Sequence, residues 1–264
     1  MSKSFWHKYH ERFQHLRSSV CIGLDSQLGL LPACTHAAAN PIWEFNRAII
    51  DATQDYATAY KPNLAFYLAD GVRGLEALYQ TVRYIPPEIP VILDCKVGDI
   101  GSTMSGYVQA FFKDLGVDAI TINPLMGSDV LRPLLEIENS FAFALALTSN
   151  PSAEDFFHQA GMKHKVAEWL KAFDPQKLGA VVGATQTADL SLMRKLLPER
   201  IFLIPGVGAQ GGDLQAVLQN AIHSKEEPRI LINSSRGIIF ASPAEDFALA
   251  AAKAAKALFE ACKL

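Results

Sequence analysis

The sequence predicts an α/β protein, a (β/α)8 barrel that occupies residues 1–264 as a single domain with a helix at its N-terminus. Three observations carry this. Eight short apolar runs rich in β-branched residues recur along the chain: VCIGLD (20–25), ATAYKP (57–62), PVILDCK (90–96), VDAITINP (117–124), SFAFALALTS (140–149), LGAVVGA (178–184), RIFLIPG (200–206) and RILINSS (229–235). They are apolar on both faces instead of alternating, as parallel strands covered by helices must be. Helix-patterned stretches separate them, so strand and helix repeat at roughly 20 to 40 residues per unit, the spacing of a (β/α)8 barrel. With 264 residues, half of them hydrophobic, one large core can be buried. No linker, low-complexity stretch or repeat argues for a second domain.

Each element has its own signal. Phe5, Trp6, Tyr9 and Phe13 fall on one helical face, which makes His7, His10 and His15 decoration on a helix instead of metal ligands. This segment lacks the apolar centre of a signal peptide, and no run is long enough to span a bilayer, so a cytoplasmic protein is expected. IWEFNRAIIDATQDYA, VRGLEALYQTVRYI, MSGYVQAFFKDLG and DLQAVLQNAIHS read as helices between strands. The last helix is expected to open at Ser242-Pro243-Ala244-Glu245, a capping box with proline in the first turn. Phe247, Leu249, Leu258 and Phe259 supply its apolar face. Cys21, Cys34, Cys95 and Cys262 form no CxxC pair and no ligand spacing, so neither a disulfide nor a zinc site is expected. A formal charge of −3 leaves no electrostatic footprint for nucleic acid.

In such barrels chemistry sits at the C-terminal ends of the strands, and phosphate is often held by the loops after strands seven and eight. Those ends carry Asp25, Lys61, the pair Asp94 and Lys96 with Asp99 just beyond, Asn123, and Thr148 with Ser149. Strand seven then runs into PGVGAQGG (205–212) and strand eight into NSSRG (233–237). Asp94 and Lys96 are two apart on a strand and so share a face. For that pair alone, a buried structural salt bridge is an equal alternative. Lys61 and Asp99 extend it to alternating charges in which each member keeps opposite neighbours and stays ionised, which favours a site.

Gly206, Gly208 and Gly211 spell G-x-G-x-x-G between a strand and a helix, the dinucleotide fingerprint. Six strand–helix units precede it, however, whereas the fingerprint marks the first turn of its own sheet. Glu226 and Glu227 also precede the next strand instead of ending it. Backbone N–H groups of a barrel phosphate loop account for the same glycines, and Arg236 adds a planar fork for phosphate oxygens. The expected ligand is a small phosphorylated molecule, not a dinucleotide.

DCKVGD, continued by IGST, fits a D-x-K-x-x-D signature and resembles that of the orotidine 5'-phosphate decarboxylases. GLDSQL, YKPNLAFY, TINPLMG, LTSNPSA, PGVGAQGGD and NSSRGIIFAS extend the likeness along nearly the whole chain, and NP and TSNP resemble the bacterial branch with longer chains. Cys95 and Val97 depart from it, standing where many bacterial members carry Ala and Arg; altered packing is expected there, with intact chemistry. The resemblance implies decarboxylation of orotidine 5'-phosphate to uridine 5'-phosphate, the last step of de novo UMP synthesis, with no cofactor and no metal. Lys96 would stabilise and then protonate the carbanion at pyrimidine C6. Asp94 would sit against the departing carboxylate and keep Lys96 charged, while Lys61 and Asp25 would contact the ribose. It further implies a homodimer in which Asp99, Ile100 and Thr103 reach the partner's site. Ser149 would bond the pyrimidine and Asn123 line the end of strand four. Gln210, on the loop that Pro205 opens, would bridge base and phosphate, with Ser235 and Arg236 on the phosphate. Three rival readings are a Mg²⁺-dependent sugar-phosphate lyase or decarboxylase of the same superfamily, an NAD(P)-dependent oxidoreductase, and a non-catalytic phosphate-binding barrel.

Overall fold

The structure is a computed structural model that describes residues 3–184, 187–207 and 213–264. Every one of the eight apolar runs holds one strand: β1 (Val20–Leu24), β2 (Ala59–Pro62), β3 (Ile92–Val97), β4 (Ala119–Ile122), β5 (Phe141–Leu147), β6 (Leu178–Val182), β7 (Phe202–Ile204) and β8 (Ile230–Ser234). They form one parallel sheet in the order β2-β1-β8-β7-β6-β5-β4-β3. Bridges from Tyr60 to Val91 and from Asn63 to Asp94 join its two edges, so the sheet curls into a nearly closed barrel.

The two-sided apolar character of the strands has a direct cause. Alternate residues such as Cys21, Ala59, Ile92, Ala119 and Phe143 point inward and form one apolar cluster. Their neighbours, such as Val20, Ile22 and Leu24, pack outward against the helices in a second cluster. Helix α1 (Phe5–Leu16), capped by Ser4, closes the barrel at the N-terminal ends of the strands. Its Phe5 ring lies 4.6 Å from that of Phe141. The buried Tyr9 hydroxyl donates to the Ile230 carbonyl and accepts from the Ile230 N–H, each at 3.1 Å. His7 and His15 lie exposed on the outer side of this helix, as its spacing requires.

The outer layer comprises α2 (Pro41–Thr53), α3 (Leu64–Leu68), α4 (Gly71–Tyr84), α5 (Gly101–Val108), α6 (Arg132–Leu135), α7 (Met162–Lys171), α8 (Thr187–Leu196), α9 (Leu214–Ala221), α10 (Arg236–Ile239) and α11 (Phe247–Ala261). The stretch 104–116 becomes the end of α5 followed by a wider π-type segment, Gln109–Leu115. The expected capping box does not form. Ser242 accepts from the Ala244 N–H at 3.2 Å and donates to the Asp246 carboxylate at 2.5 Å. Its hydroxyl is spent on a tight turn, and α11 begins at Phe247 instead of Pro243. Among the described residues, no helix is long and apolar enough to cross a membrane.

Candidate active site

The C-terminal ends of the strands surround a cavity of about 380 Å³. Its floor is apolar, built by Leu145, Val181 and Leu203 from β5, β6 and β7. Charge is concentrated on one wall. Lys61 at the end of β2 is only 4% exposed, and its ammonium donates to Asp94 Oδ2 at 3.0 Å and lies 3.9 Å from Asp25 Oδ1. Lys96 donates to Asp94 Oδ1 at 2.5 Å. Within one chain the run of charges is therefore Asp25, Lys61, Asp94, Lys96.

The electrostatics follow from that alternation. Burial would raise the Asp94 pKa, but the ammonium groups of Lys61 and Lys96 outweigh it and hold the carboxyl well below the usual range. Burial would likewise lower Lys61, and Asp94 with Asp25 outweigh it, keeping that ammonium above its usual value. Both groups stay charged at neutral pH.

Strict strand alternation would bring Asp94 and Lys96 to one face, and they do meet, but not by alternation. The pairing of β3 with β4 shifts register between Leu93 and Val97, and Lys96 adopts the left-handed region with φ 47°. The backbone N–H groups of Cys95 and Lys96 both donate to Thr121 Oγ1, which in turn donates to Asp94 Oδ1. A bulge thus aims Lys96, whose side chain remains 48% exposed at the mouth of the cavity. Cys95 points away, its thiol against the Thr121 carbonyl, and burial pushes that thiol up to about 12.

Across the barrel from β3, Pro205, Gly206 and Val207 after β7, with Asn233, Ser235 and Arg236 after the neighbouring β8, line the cavity. Gly206 holds φ 90°. The Arg236 guanidinium has no carboxylate partner among the described residues. Gly208, Gln210 and Gly211 of the glycine run lie outside the described residues. Ser149, with Thr148, lines the cavity after β5.

Four residues singled out from sequence lie elsewhere or do other work. Asp99 accepts from the Ile100 N–H at 2.8 Å, and neither it nor the exposed Ile100 and Thr103 is among the described lining residues of its own chain's cavity. The Asn123 side chain caps the turn that follows β4, accepting from the Leu125 N–H, and does not line the cavity. Conversely, sequence reading missed Asn63, Thr121 and Asn233, which do. Thr121 and Asn233 lie two residues beyond the inward-facing Ala119 and Leu231, so period-two counting would have found both.

The wall beside β1 leaves no room for a side chain at Gly23. A Cβ there would fall 1.8 Å from Ser235 Oγ and 3.2 Å from the Ser235 Cα, so the whole residue would have to move. Gly23→Ala is expected to displace Ser235 and raise KM for a phosphorylated substrate about tenfold, about 1.4 kcal/mol, with kcat less affected. Steady-state kinetics read it directly.

A family model matches residues 18–251, that of the Orotidine 5'-phosphate decarboxylase / HUMPS family. The chain belongs to this family. It is similar to a protein of Christiangramia forsetii named orotidine 5'-phosphate decarboxylase, 46% identical over 253 residues that make up 92% of each chain. Among solved structures it resembles Leishmania donovani OMP decarboxylase, with TM-score 0.80 and 35% identity over 97% of this chain and 99% of that one. It also resembles Leishmania donovani UMP synthase, with TM-score 0.84 and 35% identity, covering 97% of this chain and 57% of that longer one. The barrel is shared by these structures. As a family member the chain is an enzyme, a carbon–carbon lyase of the decarboxylase type.

Proposed function

We propose that the chain converts orotidine 5'-phosphate to uridine 5'-phosphate and CO2, with Lys96 as the acid that serves the reacting carbon. The observation that carries this is one cavity lined on one side by a Lys61–Asp94–Lys96 array and, across the barrel from β3, by Gly206 and by Arg236, which has no carboxylate partner among the described residues. A nucleotide is a ligand whose two ends ask for those two chemistries.

The steps follow from the charges. Arg236 and the backbone around Gly206 and Ser235 hold the phosphate, which fixes the pyrimidine toward Asp94 and Lys96. The C6–carboxylate bond breaks, its electron pair stays on C6, and CO2 leaves. The Lys96 ammonium stabilises that pair as it develops and donates a proton to it, and solvent then reprotonates the amine. Asp94 accepts a hydrogen bond from Lys96 at 2.5 Å, which holds the ammonium in place, and faces the departing carboxylate. Over the apolar floor of Leu145, Val181 and Leu203 the electrostatic attraction is stronger than it would be in water. Binding energy from the remote phosphate is available to the transition state. Lys61 and Asp25 serve the ribose, Ser149 the pyrimidine, and Gln210 links base to phosphate.

The position of Asp99, Ile100 and Thr103 supports a homodimer in which they complete the partner's site. Ile100 just before α5, Tyr107 on α5, Leu135 on α6, and Leu125 with Met126 in the turn between β4 and α6 are exposed apolar side chains on elements that pack together, which suits contact with a second copy. We also place the enzyme in the cytoplasm, acting as one domain over 1–264.

Two measurements test this. The fall in ultraviolet absorbance of orotidine 5'-phosphate should proceed undiminished in EDTA, and strict dependence on Mg²⁺ would favour a lyase that works through an enediolate. Mixing and reassembling inactive Lys96→Ala and Asp99→Ala proteins should restore roughly a quarter of wild-type activity, because half the dimers are hybrids with one intact site each. No recovery would remove the shared site.

A further inference from the structure

The hydroxyl of Thr121 is committed three times over. It accepts from the backbone N–H of Cys95 at 3.0 Å and of Lys96 at 2.9 Å, and it donates to Asp94 Oδ1 at 3.0 Å. A hydroxyl has one proton and two lone pairs, so this one is saturated and its direction is fixed. With both lone pairs taken by amides, the proton can go only to Asp94.

These bonds sit where the strand is least regular. Between Leu93 and Val97 the β3–β4 ladder slips, and Lys96 is held at φ 47°, a conformation costly for a residue with a Cβ. In a regular ladder successive N–H groups point to opposite neighbours, so only one of these two would reach a backbone carbonyl of β4. Here a side chain receives them instead, and the same atom steers the carboxylate that Lys96 contacts. Asp94 Oδ1 thus takes bonds from both Thr121 and Lys96, leaving Oδ2 for Lys61.

We infer that Thr121 is a positioning residue, whose hydroxyl fixes the left-handed bulge at Lys96 and the rotation of the Asp94 carboxylate, and thereby aims the Lys96 ammonium at the substrate. The inference rests on the decarboxylase reading of the site. Although Thr121 lines the cavity, its one polar atom is used within the protein, so it acts through Asp94 and Lys96 and not on substrate.

Two substitutions separate positioning from packing. Thr121→Val keeps the shape and removes the hydroxyl, whereas Thr121→Ser keeps the hydroxyl and removes the methyl. Thr121→Val is expected to lower kcat about 100-fold, the scale of a 1 Å misplacement, which is about 2.7 kcal/mol at about 1.4 kcal/mol per tenfold. KM for orotidine 5'-phosphate should stay within about threefold, and Thr121→Ser should retain most of kcat. Amide hydrogen exchange at Cys95 and Lys96 should be fast in Thr121→Val and slow in wild type and Thr121→Ser. If Thr121→Val does not fold, Thr121→Ala is judged by the same criteria.

A kcat for the hydroxyl-less variant close to wild type overturns the inference. So do equal losses in the valine and serine variants, or a loss seen in KM and not in kcat. Wild-type protein that leaves orotidine 5'-phosphate untouched would sink the decarboxylase reading instead, while the exchange data would still show whether Thr121 holds the bulge.

Discussion

Replacing Lys96 by alanine is expected to abolish turnover of orotidine 5'-phosphate, with a loss of at least about 10⁴-fold in kcat, because in the proposed mechanism one group supplies both charge stabilisation and the proton. The fold should survive. The Lys96 side chain is half exposed, so its removal opens no cavity, and Asp94 keeps Lys61 as its partner. Alanine also tolerates the left-handed backbone no worse than lysine does. Circular dichroism and a melting temperature within a few degrees of wild type would establish the folded state. Substrate binding should persist, since Arg236 and Gly206 line the cavity from β8 and β7, away from β3 in the closed strand order. A folded Lys96→Ala protein that still turns over would mean that some other group serves C6.

Asp94→Asn is expected to fail differently, losing stability as well as activity. The carboxylate stands between two ammonium groups, one of them nearly inaccessible to solvent. Without its charge, Lys61 and Lys96 face each other, and among the described residues of the same chain Asp25, 3.9 Å from Lys61, is the carboxylate left to offset them. The cost should be about 3 kcal/mol, the lower end for breaking a buried pair, because Asp25 remains. The pH dependence gives the sign. A carboxyl held below its unfolded pKa contributes stability that is present above the unfolded value and lost as pH falls through the folded one. The gap between wild type and Asp94→Asn should therefore be constant from about pH 5 to 8 and shrink below about pH 4. Denaturant titrations at several pH values would measure it. A gap that widens as the solution is acidified would show that Asp94 is not held ionised by its neighbours.

The barrel is legible in the sequence because buried parallel strands must be apolar on both faces, and runs such as SFAFALALTS carry that demand openly. The strand ends are legible for the converse reason: charge at the end of an apolar run, as in Asp94 and Lys96, needs an explanation that packing does not supply. What escaped is conformational. Nothing in DCKV announces that Lys96 takes φ 47°, since no glycine marks the place. Thr121 was passed over because a threonine inside a strand reads as ordinary β-propensity, and only the slipped register shows its hydroxyl replacing a carbonyl. Ser242 misled for a related reason: its hydroxyl had two local uses, a cap or a turn, and the sequence does not rank them.

The function proposed here depends on one spatial relation: the group that grips phosphate and the group that protonates carbon address two ends of the same nucleotide. A crystal structure with uridine 5'-phosphate bound measures it most directly. The phosphate should lie against Arg236 and Gly206, with pyrimidine C6 within about 3.5 Å of Lys96 Nζ, the separation of reacting atoms in a productive complex. A nucleotide bound with its base turned away from Lys96, or with its phosphate remote from Arg236, would contradict it.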